Sequence, residues 1–162
     1  MIDNKSIDKK PLVAFANKER DRFETALRQF VDIPTVSADE SRLPDIRRCA
    51  ELAASTIRDF GGEADVLETD GNPIVHGRFN SGNNLPTVTV YNHLDVQPAS
   101  RETEPWTSDP FGFTKQADRH PGRGTTHDSG PHLTAPFGLR PTREPGLHPA
   151  MPRPRGRHAQ EW

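Results

Sequence analysis

The chain has 162 residues, enough for one domain of ordinary size, but only 31% of them are hydrophobic and 16 are proline. The formal net charge is -2, and residues 131–162, with five Arg and two Glu, hold no concentrated basic surface of the kind that binds nucleic acid. One cysteine excludes an intrachain disulfide, and no apolar run approaches the ~18 residues of a membrane span. We therefore predict a cytoplasmic protein that is packed only in part.

The amino-terminal region combines a loose start with a helical pattern. Residues 1–16 have no regular period and no apolar signal core, and we predict a flexible leader there. From Lys18, apolar residues recur at the spacing of an amphipathic helix that ends before Pro34. These apolar positions are Phe23, Ala26, Leu27, Phe30 and Val31. This helix opens a predicted domain of residues 17–138.

A second helix is predicted after the turn at residues 33–37. Asp39 or Ser41 is its candidate cap, and Pro44 is tolerated in its first turn. Its apolar stripe is Ile46, Cys49, Ala50, Ala53, Ile57 and Phe60, and two glycines follow as a stop. Cys49 lies inside this stripe with no neighbour in sequence that lowers its pKa, so we predict a buried structural thiol and not a nucleophile.

Three extended runs follow. Residues 64–69 and 73–79 are separated by the turn residues 70–72, and His76 in the second run is predicted to lie at the surface. The third run, Thr87–Tyr91, is entirely β-branched or aromatic and is predicted to be a short buried strand. The order of two helices and three strands predicts a layered α/β domain whose functional end is the last strand.

His93 and Asp95 follow that third run. Their spacing of two places both side chains on the same face of an extended backbone. Such a pair suits a metal ligand with an ionic neighbour, or a general base with the group that orients it. A strand-end histidine with an ordinary hydrogen bond is the structural alternative.

Two loops beyond Pro98 carry further signals. Residues 102–111 contain two prolines and two bulky aromatics, as binding loops and packed surface loops both do. Residues 122–131 join glycines to polar side chains, but no lysine follows in the register of a phosphate-binding loop. We therefore do not predict a phosphate site there.

These patches resemble a known family when they are taken together. His93–Pro98, then Trp106–Phe111, then Gly122–Thr126 with Gly130-Pro131 is similar to the co-catalytic zinc metallopeptidases that include carnosine dipeptidase, carboxypeptidase G and succinyl-diaminopimelate desuccinylase. The resemblance covers residues 18–138. It implies the N-terminal part of a layered α/β catalytic domain, truncated and followed by an irregular tail.

The resemblance also implies a chemistry. Members of the family hold two zinc ions that share a bridging water. A glutamate takes a proton from this water, and the resulting hydroxide attacks a peptide or amide carbonyl. His93 matches a zinc ligand, and Asp95 matches the catalytic carboxylate that orients it. The resemblance also implies that Trp106–Phe111 line the approach to the site. The implied substrate is a small peptide or an N-acyl amino acid, and manganese or cobalt are alternatives to zinc.

The match fails at the position of the family's metal-bridging aspartate. That position is His127 here, and a neutral imidazole offers one lone pair at one nitrogen, so it can bind one metal ion but cannot bridge two. Asp128 keeps an acid one residue out of register, and Ser129 replaces a lysine. His127 is therefore interpreted as a ligand of one metal, as a substitution that damages the site, or as a solvated loop histidine.

The carboxy-terminal region departs further. The family's glutamate pair and later metal ligands have no counterpart here, and Pro136, Pro141 and Pro145 are expected to break the next helix. Residues 139–162 are predicted to be a Pro/Arg-rich disordered tail, which we interpret as the product of a shifted reading frame or as a native tail. We predict a hydrolase fragment that is inactive or nearly so. A non-catalytic remnant with a binding role and a chain that does not fold stably are the alternatives.

Overall fold

A computed structural model describes residues 9–80, 87–117 and 119–139. Its helices are α1 (Lys10–Val31), α2 (Leu43–Asp59) and α3 (Ser129–Leu139), with a short 3-10 turn over Glu40–Arg42 before α2. Its strands are β1 (Glu63–Leu67) and β2 (Ile74–Arg78). The predicted α/β class is confirmed. Within the described ranges, no helix is both long and apolar enough to cross a membrane.

Helix α1 buries the stripe that the sequence predicts. Leu27, Phe30 and Val31 are buried, and Phe23 and Ala26 pack against them. The helix begins at Lys10 and not near Lys18, with a proline in its first turn, where a missing N–H costs nothing. Residues 10–16 are therefore helical rather than a loose leader. Residues 1–8 of the predicted leader lie outside the described residues.

Helix α2 is positioned by its ends. The Asp39 carboxylate accepts a hydrogen bond from the Ser41 backbone N–H at 3.0 Å, which caps the turn that leads into α2. Gly61 follows the helix with a φ of 80°, a conformation that glycine adopts without strain.

Cys49 is 2% exposed, and this burial raises the pKa of its thiol to about 12. The predicted structural thiol is thus confirmed.

Strands β1 and β2 form an antiparallel hairpin, with Glu63 opposite Arg78 and Leu67 opposite Ile74. The two strands follow the two predicted extended runs, and His76 is exposed as expected. Helix α2 packs on the hairpin through Ile57. A Cβ at Gly77 would lie 2.6 Å from Ile57 Cδ1, so a side chain there would displace the end of the Ile57 side chain.

The core lies between the three helices and the loop that contains Phe113. Its aromatic centre is Phe137 of α3, whose ring centroid lies 5.1 Å from that of Phe23 and 4.8 Å from that of Phe60. The buried members of this cluster are Leu27, Phe30, Val31, Ile33, Cys49, Ala53, Phe113, Leu133 and Phe137. Packing around Phe137 fixes α3, and with it the loop that precedes α3.

The predicted buried strand at Thr87–Tyr91 is wrong. No strand is formed there, and Val88 is 82% exposed and Tyr91 87% exposed. β-branched residues favour extended backbone, but a strand also needs a hydrogen-bonding neighbour and a face to cover. No described segment pairs with residues 87–91.

The prediction that Pro136 breaks the next helix is also wrong, because α3 runs through it to Leu139. Pro136 is buried together with Leu133 and Phe137. The apolar surface that these three residues bury compensates the hydrogen bond that the proline removes. Pro141, Pro145 and all but the first residue of the predicted tail lie outside the described residues.

Candidate metal site

The first half of the candidate site is the segment that carries His93 and Asp95. His93 Nδ1 lies 3.0 Å from the backbone carbonyl oxygen of Asp95 and 3.3 Å from its Oδ1. The structure therefore brings the two predicted residues together, although their backbone is not a strand. The segment is anchored by Val96, which is buried and forms an isolated parallel bridge with Val36.

The second half of the site is the loop of residues 122–128 before α3, called the glycine loop below. Gly124 has a φ of 83°, and its carbonyl oxygen accepts hydrogen bonds from the backbone N–H groups of Asp128 and Ser129 at 3.1 and 2.8 Å. A Cβ at Gly130 would lie 2.2 Å from the Thr125 carbonyl oxygen, so the start of α3 approaches the loop too closely for any side chain. This tight loop brings the Asp128 carboxylate to His93, with Oδ1 at 3.2 Å from Nε2.

The structure thus places Asp128, and not His127, against the histidine. Asp128 has a side chain that is only 13% exposed, whereas His127 is exposed on the rim of the same cleft. The sequence contained a sign of this, since Asp128 is an acid one position after the family's bridging carboxylate. Its spacing alone did not show that the loop would turn this residue towards His93.

The hydrogen-bonding capacity of His93 leaves two possibilities for its contact with Asp128. Nδ1 faces two acceptors on Asp95, so the ring hydrogen belongs there. In the neutral imidazole, Nε2 then presents a lone pair to a carboxylate oxygen 3.2 Å away. Two lone pairs at this distance repel each other unless a proton or a metal ion lies between them. The pair is therefore an ion pair of protonated His93, or two ligands of one cation.

The two groups border an open cleft of about 390 Å³. It is lined by His93, residues 95–97, Trp106 and residues 122–128. Of the predicted approach segment Trp106–Phe111, the structure places only Trp106 on the wall. The volume lies within the range of small-molecule sites.

A cluster that sequence reasoning missed connects the parts of this wall. Arg123 Nη2 donates to the Pro98 carbonyl oxygen at 3.1 Å and to Glu104 Oε2 at 2.9 Å. Its guanidinium lies 5.1 Å from the centre of the Trp106 ring, whose Nε1 also donates to Glu104. Arg123 therefore holds the glycine loop against both other segments of the cleft.

The donor atoms fit part of one zinc site. An imidazole nitrogen and a carboxylate oxygen are common zinc ligands, and ideal tetrahedral bonding separates two such donors by about 3.4 Å. The 3.2 Å between His93 Nε2 and Asp128 Oδ1 is close to that separation. Among residues 9–80, 87–117 and 119–139, no group of three or more His, Cys, Asp or Glu side chains is placed to hold a metal. These residues fit two ligands of one ion, and they do not form a two-ion centre.

Comparisons with known proteins find similar sequences and structures among the dipeptidases. The chain is 37% identical over 137 residues to the Cys-Gly metallodipeptidase dug1 of Schizosaccharomyces pombe, which covers 78% of this chain and 28% of that protein. It is 31% identical over 137 residues to the Beta-Ala-His dipeptidase of Rattus norvegicus, covering 75% of this chain and 27% of the relative. The crystal structure of human carnosine dipeptidase 1 matches with a TM-score of 0.73 and 26% identity, over 80% of this chain and 30% of that one.

The chain belongs to the metallopeptidase family of carnosine dipeptidase. No family model matches the sequence. The chain spans about 28% of the length of the Cys-Gly metallodipeptidases of Schizosaccharomyces pombe and Candida albicans. The metallopeptidase resemblance predicted from the sequence is confirmed, and it extends over most of the chain. A metal cofactor is implied by the name metallodipeptidase.

Proposed function

We propose that the chain carries part of the metal site of a dipeptidase-type hydrolase and binds one zinc ion through His93 Nε2 and Asp128. The observation that supports the proposal is the 3.2 Å between His93 Nε2 and Asp128 Oδ1, two donor atoms at a separation that one zinc ion can span. Zinc suits the mixed nitrogen and oxygen donors, and manganese or cobalt are the alternatives. His127, exposed on the rim, is not needed for this arrangement.

Asp95 acts on His93 and not on the ion. Its carbonyl oxygen and its Oδ1 both face Nδ1, so it holds the ring with Nε2 turned to the cleft. A bound zinc ion would supply the charge that polarises a substrate carbonyl. The substrates proposed for the whole protein are dipeptides, because relatives are named for Cys-Gly and Beta-Ala-His and because the cleft holds about 390 Å³.

The proposal includes low activity for this 162-residue chain. Hydrolysis by a metal-activated water needs a general base that is free to take a proton. The carboxylates among the described residues that line the cleft are Asp95 and Asp128, and both are engaged with His93. Loss of one member of a catalytic unit lowers the rate by several orders of magnitude.

Zinc stoichiometry and hydrolysis test the proposal together. The purified chain, stripped with a chelator and dialysed against zinc, is expected to bind one ion and to hydrolyse Cys-Gly and β-Ala-His at the uncatalysed rate. His93→Ala should abolish zinc binding, whereas the matched control His76→Ala, which changes an exposed histidine on β2, should not. Two bound ions or zinc-dependent hydrolysis would contradict the low-activity part. Absence of zinc binding would contradict the whole.

The alternative function is a binding role without catalysis. It is favoured by the apolar side chains of Val88, Val90 and Tyr91, which are 82%, 61% and 87% exposed. Residues 87–91 pair with no strand in the described part of the chain, and another strand adds to an unpaired segment of this kind. This alternative would be supported if the chain binds no zinc and if a bound partner protein protects Tyr91 from cleavage by chymotrypsin.

A further inference from the structure

Two segments far apart in the sequence lie side by side beneath the candidate site. The Val96 backbone N–H donates to the Thr35 carbonyl oxygen at 2.9 Å, and Thr35 Oγ1 donates to the Leu94 carbonyl oxygen at 2.8 Å. Thr35, Val36 and Val96 are all buried. This pairing fixes the register between the turn after α1 and the segment that carries His93.

The register places the next residue of the turn against the candidate site. Ser37 Oγ donates to Asp95 Oδ2 at 2.6 Å, while Asp95 Oδ1 lies 3.3 Å from His93 Nδ1. Each oxygen of the carboxylate therefore has its own neighbour. The Ser37 bond fixes the rotation of the carboxylate about its Cβ–Cγ bond, and that rotation determines whether Oδ1 meets the imidazole.

We propose that Ser37 is a positioning residue for the metal-binding histidine, an inference that rests on the proposed function. The three side chains form a chain of contacts in which Ser37 holds Asp95, Asp95 holds His93 Nδ1, and Nε2 is turned towards Asp128. Without the hydroxyl, the Asp95 carboxylate rotates into water, and His93 Nδ1 keeps only the Asp95 carbonyl oxygen as an acceptor. Groups that orient a metal ligand without touching the ion contribute to the affinity of the site for the metal.

The expected effect is moderate because the site is open. Ser37 is exposed and the Asp95 side chain is 44% exposed, so water replaces part of the lost hydrogen bond. The backbone carbonyl of Asp95 also continues to face Nδ1. We therefore expect Ser37→Ala to weaken zinc binding about 10-fold, at the lower end of the range for such outer partners.

The chain contains a matched control. Ser41 Oγ donates to Asp39 Oδ1 at the same distance of 2.6 Å, in the turn before α2 and with no contact to His93. Ser41→Ala therefore removes the same kind of bond elsewhere. Ser37→Thr keeps a hydroxyl at the position and is the conservative variant that should restore the contact.

The experiment measures zinc affinity by competition with a chelator on the full chain and its variants. Ser37→Ala is expected to raise the dissociation constant about 10-fold, Ser41→Ala less than 2-fold, and Ser37→Thr to recover most of the affinity. Unfolding temperatures of the zinc-free variants separate positioning from stability. If Ser37→Ala and Ser41→Ala lower affinity equally, or if Ser37→Ala leaves it unchanged, the inference is wrong.

A second readout does not need the metal. Long-range proton–nitrogen NMR spectra of the zinc-free chain resolve the two ring nitrogens of His93, of which Nδ1 is the one that faces Asp95. At one fixed pH, Ser37→Ala is expected to shift the His93 Nδ1 signal, and Ser37→Thr is not. Failure of the parent chain to bind zinc overturns the proposed function. Unchanged His93 signals in Ser37→Ala overturn the role of Ser37.

Discussion

His93 Nε2 and Asp128 Oδ1 lie 3.2 Å apart, and the neighbouring His127 points to the exposed rim of the same cleft. A cation between them would bind a carboxylate one position away from the one that the family register indicates. The proposed zinc site therefore predicts that Asp128, and not the adjacent His127, controls metal affinity.

We expect Asp128→Asn to reduce zinc affinity by more than the ~10–100-fold that loss of an outer partner costs, because it removes the negative charge and leaves a neutral amide oxygen as a much weaker donor. His127→Gln should change the affinity less than 3-fold, a difference of roughly 0.6 kcal/mol. Isothermal titration of both variants measures the two effects. A larger loss in His127→Gln than in Asp128→Asn would restore the family register and contradict the observed placement.

The glycine loop gives a prediction about stability. Gly130→Ala places a Cβ 2.2 Å from the Thr125 carbonyl oxygen and should lower the free energy of unfolding by about 1–3 kcal/mol, because the backbone must shift. Gly138→Ala in the same helix has no atom within 4 Å of the new Cβ and should raise it by about 0.5–1 kcal/mol. Urea unfolding compares the two. Equal effects would mean that the loop is not packed against α3 in solution.

His132 on α3 gives the chain a pH-dependent stability. Burial lowers the pKa of its imidazole from 6.5 to about 4, and its Nε2 has no hydrogen-bond partner in the described part of the chain. Between these values the unfolded chain binds a proton that the folded chain does not, so the free energy of unfolding falls as the pH falls from about 6.5 to about 4. The contribution reaches at most about 3 kcal/mol.

His132→Leu should remove this contribution. Chemical unfolding at a series of pH values is expected to show the parent and the variant changing in parallel above pH ~7 and diverging below it, with the variant more stable in acid. The difference should stop growing below the folded-state pKa of about 4. Parallel curves over the whole range would show that His132 is accessible to water in the folded chain.

The exposed run after residue 86 gives a prediction about solubility. Val88 and Val90 are 82% and 61% exposed, so replacing both with Thr should change the free energy of unfolding by less than about 0.5 kcal/mol and should reduce self-association. Val36→Thr is the matched control. That valine is 6% exposed, and burying a hydroxyl there should cost about 1–3 kcal/mol. Light scattering and thermal unfolding distinguish the two variants, and equal destabilisation by both would indicate that residues 88–90 are covered.

Local patterns in the sequence predicted the elements that pack locally. The stripe from Phe23 to Val31 and the stripe around Cys49 gave the two long helices, and the turn at residues 70–72 gave the hairpin. In each case the residues that pair or pack are neighbours in the chain, so periodicity and turn chemistry carry the information.

The prediction failed where the outcome depends on distant neighbours. The composition of residues 87–91 predicts a strand, but strand formation needs a partner that local composition does not specify. Pro136 breaks a helix on propensity alone, and burial beside Phe137 reverses that outcome. In the candidate site, the spacing of His93 and Asp95 predicted their contact, whereas Asp128 and Ser37 reach the site through tertiary packing.

The hydrogen bond between Ser37 and Asp95 joins residues 58 positions apart, and the Val36–Val96 bridge closes the same long loop. Closing such a loop has an entropic cost that the local helices and the hairpin do not carry. We therefore expect the helical layer to form first and the site to assemble in a later kinetic step. Amide hydrogen exchange at Val96 should then be faster than in the middle of α2, and mild denaturant should release a bound ion before the helices melt.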